Sequence, residues 1–371
     1  MTSALFQPFK LRELRLPNRI MISPMCQYSA TDGNPNDWHL IHLGQLALGG
    51  AGLLCVEATG VEARGRITPG CLGLYSDENE AAFGRLISGL RRHSDMPLAI
   101  QLAHAGRKAS SHKPWDGGKL IDPDSGGWET IAPSPVPFSP SEPPPREMNA
   151  ADLARVRDAF TGAAKRAAAL DIDAIELHAA HGYLLHQFLS PLSNRRGDQY
   201  GGSLENRMRF PLEVFSAVRK VWPESKPILV RISASDWIDG GWDLAQSIAF
   251  AHRLKAAGCD CIDVSSGGLA PDQKITLAPG YQVPFSEAIR KEAGIPTVTV
   301  GLITEARQAE DIVAGDKADI VALARGVMFD PHWAWRAAVE LGGEVIAPKQ
   351  YWRAAPRGAE AIFHGAKCGQ R

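Results

Sequence analysis

The chain has 371 residues, of which 44% are hydrophobic and 22% charged, and its formal net charge at neutral pH is -1. These values are typical of a water-soluble globular protein with a large core, and they give no reason to expect nucleic acid or a membrane surface as a partner. Every apolar run is interrupted well short of the ~20 residues that a membrane-spanning helix needs. The N-terminus lacks the pattern of a signal peptide, so we expect a cytoplasmic protein.

The cysteines predict reduced thiols rather than disulfides. Six of them, at positions 26, 55, 71, 259, 261 and 368, are few for a chain of this length and show no disulfide-framework spacing. Cys259 and Cys261 are close in sequence, but no second cysteine or histidine pair accompanies them. We therefore assign this pair a structural role and expect no metal there.

The first half of the chain alternates apolar strands with helices. Residues 5–17 predict a short hairpin that caps one end of a barrel. Strands are predicted at 19–26, 52–58 and 97–101, and helices at 37–48 and 79–93. Residues 110–146 then interrupt the alternation, because Gly, Pro, Ser and charged residues dominate there. A loop of this length within a compact domain is usually functional.

The alternation resumes in the second half and continues to residue 323. Helices are predicted at 149–169, 203–222, 244–257, 285–293 and 304–314, and strands at 172–178, 227–232, 261–265, 296–300 and 319–323. Eight apolar strands separated by helices predict a single α/β domain over residues 1–371. Its predicted fold is a (β/α)8 TIM barrel with a short N-terminal hairpin cap and an extended loop after the third strand.

In such a barrel the active site is built at the C-terminal ends of the strands. The candidates at those ends are Pro24, Met25, Cys26, Tyr28, Ala58, Gln101, His178, His181, Tyr183, Arg231, Gly301, Ala324 and Arg325. They include neither a pair of carboxylates for hydrolysis nor a Ser-His-Asp set for acyl transfer. Two histidines and a tyrosine offer hydrogen-bond donors without a strong nucleophile, a set suited to holding an oxygen and delivering a proton.

The ends of the last three strands predict a phosphate-bearing ligand. Gly267, Gly268 and Gly301 offer backbone amides, and Arg325 adds a guanidinium that suits a phosphate. Gln101 both donates and accepts, as a ring with alternating carbonyls and nitrogens requires, and Arg231 is placed to stabilise negative charge on such a ring. These are the requirements of a flavin.

A longer motif resembles a known family. Residues 190–207 read Ser-Pro-Leu-Ser-Asn-Arg-Arg-Gly-Asp-Gln-Tyr-Gly-Gly-Ser-Leu-Glu-Asn-Arg and follow His178-Ala-Ala-His181-Gly-Tyr183. Together they resemble the signature of the old yellow enzyme family of FMN-dependent ene-reductases. Residues 101–108, 231–236 and 300–304, together with Cys26, are similar to its thermophilic-like subclass, which includes bacterial xenobiotic reductases. The resemblance runs from about residue 5 to residue 353.

The resemblance implies FMN as cofactor, NADPH or NADH as hydride donor, and ping-pong reduction of activated C=C bonds in α,β-unsaturated carbonyl or nitro compounds. It implies that FMN is held by Pro24, Met25, Cys26, Ala58, Gln101, Arg231, Gly301, Ala324 and Arg325, where the subclass usually has glycine in place of Ala324. His178 and His181 would bind the substrate oxygen and Tyr183 would supply the proton. Tyr28 and Cys26 would line the pocket.

The C-terminal extension, from about residue 345 to 371, has a separate implication. Residues 350–353 resemble a segment that some members insert into a neighbouring subunit's active site, with arginine in some relatives and tryptophan in others. This chain offers both Trp352 and Arg353, and which of them lines a pocket stays open. We expect a homodimer or homotetramer.

Three alternatives accompany this interpretation. His178 and His181 could hold a metal in a barrel hydrolase. The chain could instead be a flavin-binding redox sensor with Cys26 as its switch, although nothing local predicts a lowered thiol pKa. Arg231 could be an ion-pair partner of Asp263 or Asp236 instead of a flavin ligand.

Overall fold

A closed barrel of eight parallel strands forms the centre of the protein. The computed structural model describes residues 3–367. Its strands are β1 (Phe9–Leu11), β2 (Leu14–Leu16), β3 (Ile20–Ile22), β4 (Leu53–Gly60), β5 (Leu98–Ala103), β6 (Ile131–Ala132), β7 (Arg146–Glu147), β8 (Ala174–Ala179), β9 (Ile228–Ser233), β10 (Cys261–Ser265), β11 (Thr297–Thr299) and β12 (Ile320–Leu323). The barrel order is β3-β4-β5-β8-β9-β10-β11-β12, and β12 closes on β3 with Leu323 opposite Ile22. The predicted (β/α)8 barrel is confirmed.

Helices surround the barrel. They are α1 (Asp37–Ala47), α2 (Asp77–Arg91), α3 (Ala150–Ala169), α4 (Leu184–Leu189), α5 (Leu204–Val221), α6 (Leu244–Ala256), α7 (Val283–Ala293), α8 (Ala306–Ala314), α9 (Arg325–Phe329) and α10 (Trp333–Leu341). Several begin at the side-chain caps that the sequence offers, such as Asn149, whose side chain accepts a hydrogen bond from the Asp152 amide. Within residues 3–367, none of the helices is both long and apolar enough to cross a bilayer.

The predicted elements differ from the observed ones at several points. The first barrel strand is predicted over residues 19–26 with Pro24 as its end, because Pro24 has no N–H to donate, and the observed strand is Ile20–Ile22. Strands β6 and β7 of the long loop were not predicted. Helices α4, α9 and α10 were not predicted. All six residues of α4 are buried, so its sequence has no polar face and no helical periodicity to detect.

The N-terminal hairpin closes one end of the barrel, as predicted. Strands β1 and β2 pair with Leu11 opposite Leu14. Leu11 and Leu16 are buried in one apolar cluster with residues near the start of the barrel strands, among them Met21 and Leu53. The hairpin therefore shields the bottom of the barrel interior from water.

The extended loop after β5 is held in place by specific contacts. Strands β6 and β7 pair within it. The amide of Trp128 donates to the Ser110 hydroxyl oxygen at 2.8 Å, and Arg146 binds Asp152 at the start of α3 at 2.7 Å. The loop is consequently an ordered wall beside the C-terminal ends of the strands.

The hairpin cap generates a stability prediction. We expect Leu16→Ala to lower the free energy of unfolding by about 2–5 kcal/mol, because it removes a fully buried side chain and leaves a cavity. Urea unfolding followed by circular dichroism measures the change. Arg15→Ala, at an exposed position of the same strand, is the control and should change the value by less than about 0.5 kcal/mol. Equal stabilities of the two variants would contradict the capping role.

Candidate active site

The turn after β8 brings the three predicted catalytic side chains together. The His178 ring meets the His181 ring edge-on at 5.2 Å between centroids, and the Tyr183 ring edge-on at 4.9 Å. His178 lies on β8, while His181 and Tyr183 lie on the turn of residues 180–183, the catalytic turn. Two imidazoles and a phenol thus converge at the C-terminal end of one strand, where barrel enzymes place their chemistry.

Both imidazoles are neutral and oriented by hydrogen bonds. Burial lowers the pKa of His178 and of His181 well below the usual value, and the Arg231 guanidinium lowers both further. The amide of Ala180 donates to His178 Nδ1 at 3.2 Å, so the proton of His178 lies on Nε2. His181 Nε2 lies 2.7 Å from the Ser265 hydroxyl oxygen. When that hydroxyl donates to Nε2, the proton of His181 lies on Nδ1.

Lys108 joins this group, although the sequence assigned it no role. Its ammonium donates to the backbone oxygens of His181 at 2.8 Å and Gly268 at 3.0 Å, and lies 5.0 Å from the centre of the Tyr183 ring. Burial lowers its pKa to about 8, whereas burial raises the pKa of Tyr183 well above the usual value. Tyr183 therefore keeps its proton at neutral pH. The signal that could have revealed Lys108 is its place in the turn that follows β5.

Cys26 and Tyr28 lie on the segment that follows β3. The pKa of the Cys26 thiol is raised first by burial and then by the nearby Glu57 carboxyl. Trp115, from the extended loop, meets the Tyr28 ring edge-on at 5.8 Å. Cys26 is thus a protonated thiol, which gives no support to a reactive redox switch.

Below the catalytic turn, the barrel interior holds one guanidinium and two carboxyl groups. Gln101 Nε2 donates to Glu176 Oε1 at 2.7 Å, and Arg231 Nη1 lies 3.3 Å from Asp263 Oδ2. Burial raises the pKa of both Glu176 and Asp263, and the Arg231 guanidinium opposes the rise. Arg231 forms an ion pair with Asp263 and not with Asp236. This pair involves Nη1 alone, so the flavin-binding role of Arg231 stays a prediction.

A cavity of about 480 Å³ continues from Arg231 along the ends of the last strands. It unites four predicted cofactor residues, namely Arg231, Gly301, Ala324 and Arg325. Gly301 has a φ of +119°, which favours glycine. Of the buried side-chain atoms within residues 3–367 that have no hydrogen-bond partner, the Ser23 hydroxyl and Arg231 Nε belong to residues that line this cavity. Two unpaired buried donors and an arginine at the mouth fit an oxygen-rich, phosphate-bearing ligand such as FMN.

The remaining predicted cofactor residues lie at the same end of the barrel. Pro24 and Met25 follow β3 directly and are half-buried. Ala58 is buried on β4, where the pairing with β5 shifts register between Val56 and Thr59. Bulges of this kind are common beside active sites, because they redirect the strand locally.

The structure does not bring Trp352 and Arg353 to this site. Residues 344–346 and 364 line a cavity with Asn18, Ala51 and Pro97, which precede β3, β4 and β5 and so mark the opposite end of the barrel. Trp352 is half-buried against its own chain and donates from Nε1 to the Ala347 oxygen at 3.1 Å, whereas Arg353 is exposed. Any role in a pocket therefore concerns another subunit.

The part of the chain that the structure describes contains no set of ligands for the metal site of the first alternative. Across residues 3–367, no three or more His, Cys, Asp or Glu side chains are grouped so that they could hold a metal ion. His178 Nδ1 and His181 Nε2 are each engaged with the protein.

Comparison with known proteins identifies relatives along almost the whole chain. The model of the NADH:flavin oxidoreductase / NADH oxidase family matches residues 4–343. A protein named NADPH dehydrogenase from Geobacillus thermodenitrificans is 47% identical over 355 residues, which cover 95% of this chain and 99% of the relative. A protein of the same name from Listeria innocua is 45% identical over 354 residues, again 95% of this chain and 99% of the relative.

Solved structures of morphinone reductase have the same architecture. One is 26% identical with a TM-score of 0.77, and covers 99% of this chain and 95% of the other. A second, in complex with tetrahydroNAD, is 26% identical with a TM-score of 0.75, and covers 98% of this chain and 95% of the other.

Glu57 is a buried carboxyl behind the Cys26 segment that the sequence did not single out. It lies on β4, accepts a hydrogen bond from the Gln27 amide at 2.9 Å, and lies 3.6 Å from His39 Nε2. Burial raises its pKa from 4.5 to about 8. Glu57 thus holds the segment that contains Cys26 and Tyr28. Keeping this carboxyl out of water lowers the free energy of unfolding when the group is ionised.

The raised pKa of Glu57 predicts how stability depends on pH. Because the folded pKa exceeds the unfolded one, the contribution of Glu57 is fully present below about pH 4.5 and is lost as pH rises through about 8. Glu57→Gln keeps a hydrogen-bond acceptor but cannot ionise. We therefore expect the variant to gain free energy of unfolding relative to wild type between these pH values, at up to about 1.4 kcal/mol per pH unit.

Urea unfolding of both proteins at intervals from pH 4.5 to 9 measures this difference. Glu13→Gln, at an exposed position, is the control for removing a carboxylate. A difference between Glu57→Gln and wild type that does not grow with pH would contradict the burial argument.

Proposed function

The chain belongs to the NADH:flavin oxidoreductase / NADH oxidase family, the old yellow enzyme family, and on this basis we propose that it reduces activated C=C bonds of α,β-unsaturated carbonyl or nitro compounds. It is an NAD(P)H-dependent oxidoreductase with FMN as cofactor. The observation that carries the proposed substrate class is the convergence of His178, His181 and Tyr183 beside the Arg231 cavity. The hydride donor, NADPH or NADH, and the alkene would occupy this place in turn.

The residues around the cavity fit FMN. When bound, FMN supplies the hydride chemistry, by accepting hydride from the nicotinamide and giving it to the β-carbon of the alkene. Arg325 would bind the phosphate at the mouth of the cavity, with backbone groups near Gly301 and Ala324. Arg231 and Gln101 would bind the polar edge of the ring, while Pro24, Met25, Cys26 and Ala58 would contact it from β3 and β4.

The two histidines would hold the substrate oxygen. His178 presents Nε2–H, since its Nδ1 accepts from the Ala180 amide. His181 presents Nδ1–H when the Ser265 hydroxyl donates to its Nε2. Two neutral donors on one carbonyl or nitro oxygen stabilise the negative charge that develops there as hydride arrives at the β-carbon.

Tyr183 would deliver the proton to the α-carbon. Its raised pKa keeps the hydroxyl protonated until a strongly basic carbon forms. The Lys108 ammonium beside the ring favours the phenolate that results, so the charge left on Tyr183 has a partner. Tyr28 and Cys26 would line the opposite wall of the pocket.

We also infer that the chain associates as a homodimer or homotetramer. Large apolar side chains are exposed on its surface, with Phe329 94% and Ile41 65% exposed, and such side chains commonly mark protein interfaces. Trp352 is folded onto its own chain, so the exposed Arg353 is the better candidate to reach a neighbouring subunit's pocket.

The proposed function predicts a specific spectral cycle. We expect purified protein to be yellow with the absorbance of bound FMN, to be bleached by NADPH without oxygen, and to recover its colour when 2-cyclohexenone is added. Colourless protein that cannot be reconstituted with FMN would overturn the proposal. Bleaching by NADPH without recovery in the presence of any enone or nitroalkene would overturn the substrate class alone.

The proton-donor role predicts an effect on one half-reaction. We expect Tyr183→Phe to slow the recovery of colour with 2-cyclohexenone by about 100-fold or more, the usual contribution of a positioned acid, while bleaching by NADPH keeps its rate. Stopped-flow absorbance measures both steps. Tyr200→Phe, outside the site, is the control and should leave both unchanged. Equal slowing of both steps by Tyr183→Phe would assign Tyr183 to nicotinamide binding or to structure instead.

A further inference from the structure

The backbone of the catalytic turn adopts an unfavourable conformation. His181 and Gly182 are consecutive residues with φ of +56° and +72°, the left-handed region. A Cβ atom at position 182 would lie 2.2 Å from the Gly268 oxygen, so no side chain fits there. A left-handed residue other than glycine costs on the order of 1–2 kcal/mol. The turn therefore keeps this shape because its surroundings hold it.

Four side chains hold the peptide groups of His181 and Gly182. The His181 amide donates to the Ser233 hydroxyl oxygen at 2.8 Å, and Lys108 donates to the His181 oxygen at 2.8 Å. Gln187 donates to the Gly182 oxygen at 2.8 Å. The Gly182 amide, between the two catalytic side chains, donates to His186 Nδ1 at 2.9 Å.

His186 is in turn held by a buried carboxylate. Its Nε2 lies 2.9 Å from Oδ1 of Asp236, and both side chains are completely buried. Asp236 Oδ2 accepts hydrogen bonds from the Ser190 hydroxyl at 2.6 Å and from the Trp242 amide at 2.7 Å. These bonds and the His186 ring hold the pKa of Asp236 below its usual value against the effect of burial.

The arrangement requires one tautomer of His186. Nδ1 must be unprotonated to accept the Gly182 N–H, so the ring proton lies on Nε2. Nε2 lies 2.9 Å from Asp236 Oδ1, a charge contact rather than an aligned hydrogen bond. A proton on Nδ1 would oppose the Gly182 amide and leave that buried N–H without a partner, at a cost of about 1–3 kcal/mol. The Asp236 carboxylate favours this tautomer, because its negative charge lies beside the protonated nitrogen.

We propose that His186 and Asp236 form a positioning pair that sets the catalytic turn, so that His181 and Tyr183 face the substrate together. The inference rests on the proposed function of the site. Neither residue is placed against the reacting atoms, and both act through the Gly182 amide. Losing the acceptor on that amide lets the turn relax towards an ordinary backbone conformation, which moves the Tyr183 ring away from its edge-on contact with His178.

Two substitutions distinguish the contributions of the two ring nitrogens of His186. His186→Asn places an amide oxygen near the position of Nδ1 and keeps an acceptor for Gly182, but loses the contact with Asp236. His186→Gln reaches Asp236 with an amide N–H but places no acceptor at Gly182. Both variants remove the ring and the tautomer choice, and they differ in which partner is kept.

We expect His186→Gln to slow the recovery of colour with 2-cyclohexenone at least about tenfold, equivalent to about 1.4 kcal/mol, and to weaken phenol binding by a similar factor. Phenol binding is read from the long-wavelength band of the FMN-loaded protein, without turnover. His186→Asn should stay within about threefold of wild type in both measurements, even where it lowers the melting temperature. Leu90→Ala, a buried position on α2, is the control for lost stability and should change neither.

Equal effects of the Asn and Gln variants, or an unchanged Gln variant, would overturn the positioning role. Should His186→Gln not fold, Ser190→Ala removes one hydrogen bond from Asp236 and is expected to lower phenol affinity and recovery rate by a smaller factor. An unchanged Ser190→Ala would then count against the proposal. The proposed function would instead be overturned by the wild-type protein, if it bound no FMN or did not recover its colour when an enone was added. The two failures are therefore distinguishable.

Discussion

The upper end of the barrel depends on a buried positive charge, the guanidinium of Arg231. It forms an ion pair with Asp263 and opposes the rise in pKa of the Glu176 and Asp263 pair. The same charge lowers the pKa of His178 and His181. A guanidinium remains charged at any ordinary pH. Arg231 thus offsets part of the cost of two buried carboxyl groups, and it adds to the effect of burial, which keeps the imidazoles of His178 and His181 neutral.

The two ends of the barrel have different roles: one stabilises the fold and the other contains the candidate active site. At the bottom, Leu11 and Leu16 of the hairpin close an apolar cluster, where burial of surface stabilises the fold. At the top, the interior of the barrel is polar instead and contains Gln101, Glu176 and Arg231. Burying this layer of polar groups costs free energy. A parallel barrel tolerates such a layer because its strands are fully paired, and their backbone groups need no further partners.

The sequence predicted the barrel and the grouping of His178, His181 and Tyr183, because long apolar strands and a dense local motif are visible without tertiary information. It could not predict Lys108, Ser265 or Glu57, whose roles arise from contacts between segments far apart in the chain. Helix α4 was missed since a fully buried helix lacks a polar face. The position of Trp352 was equally hidden, because its hydrogen bond to Ala347 depends on how the C-terminal segment folds back.

The neutrality of the histidines matters for the proposed reaction. An imidazolium would transfer its proton readily to an enolate-like oxygen, and the negative charge would then be quenched before the α-carbon became basic. A neutral imidazole donates a hydrogen bond but is a far weaker acid, so the charge persists until Tyr183 protonates carbon. Burial and the Arg231 charge together hold both rings in the neutral form. In the proposed reaction, Arg231 would therefore contribute to the choice of protonation site from outside the oxygen pocket.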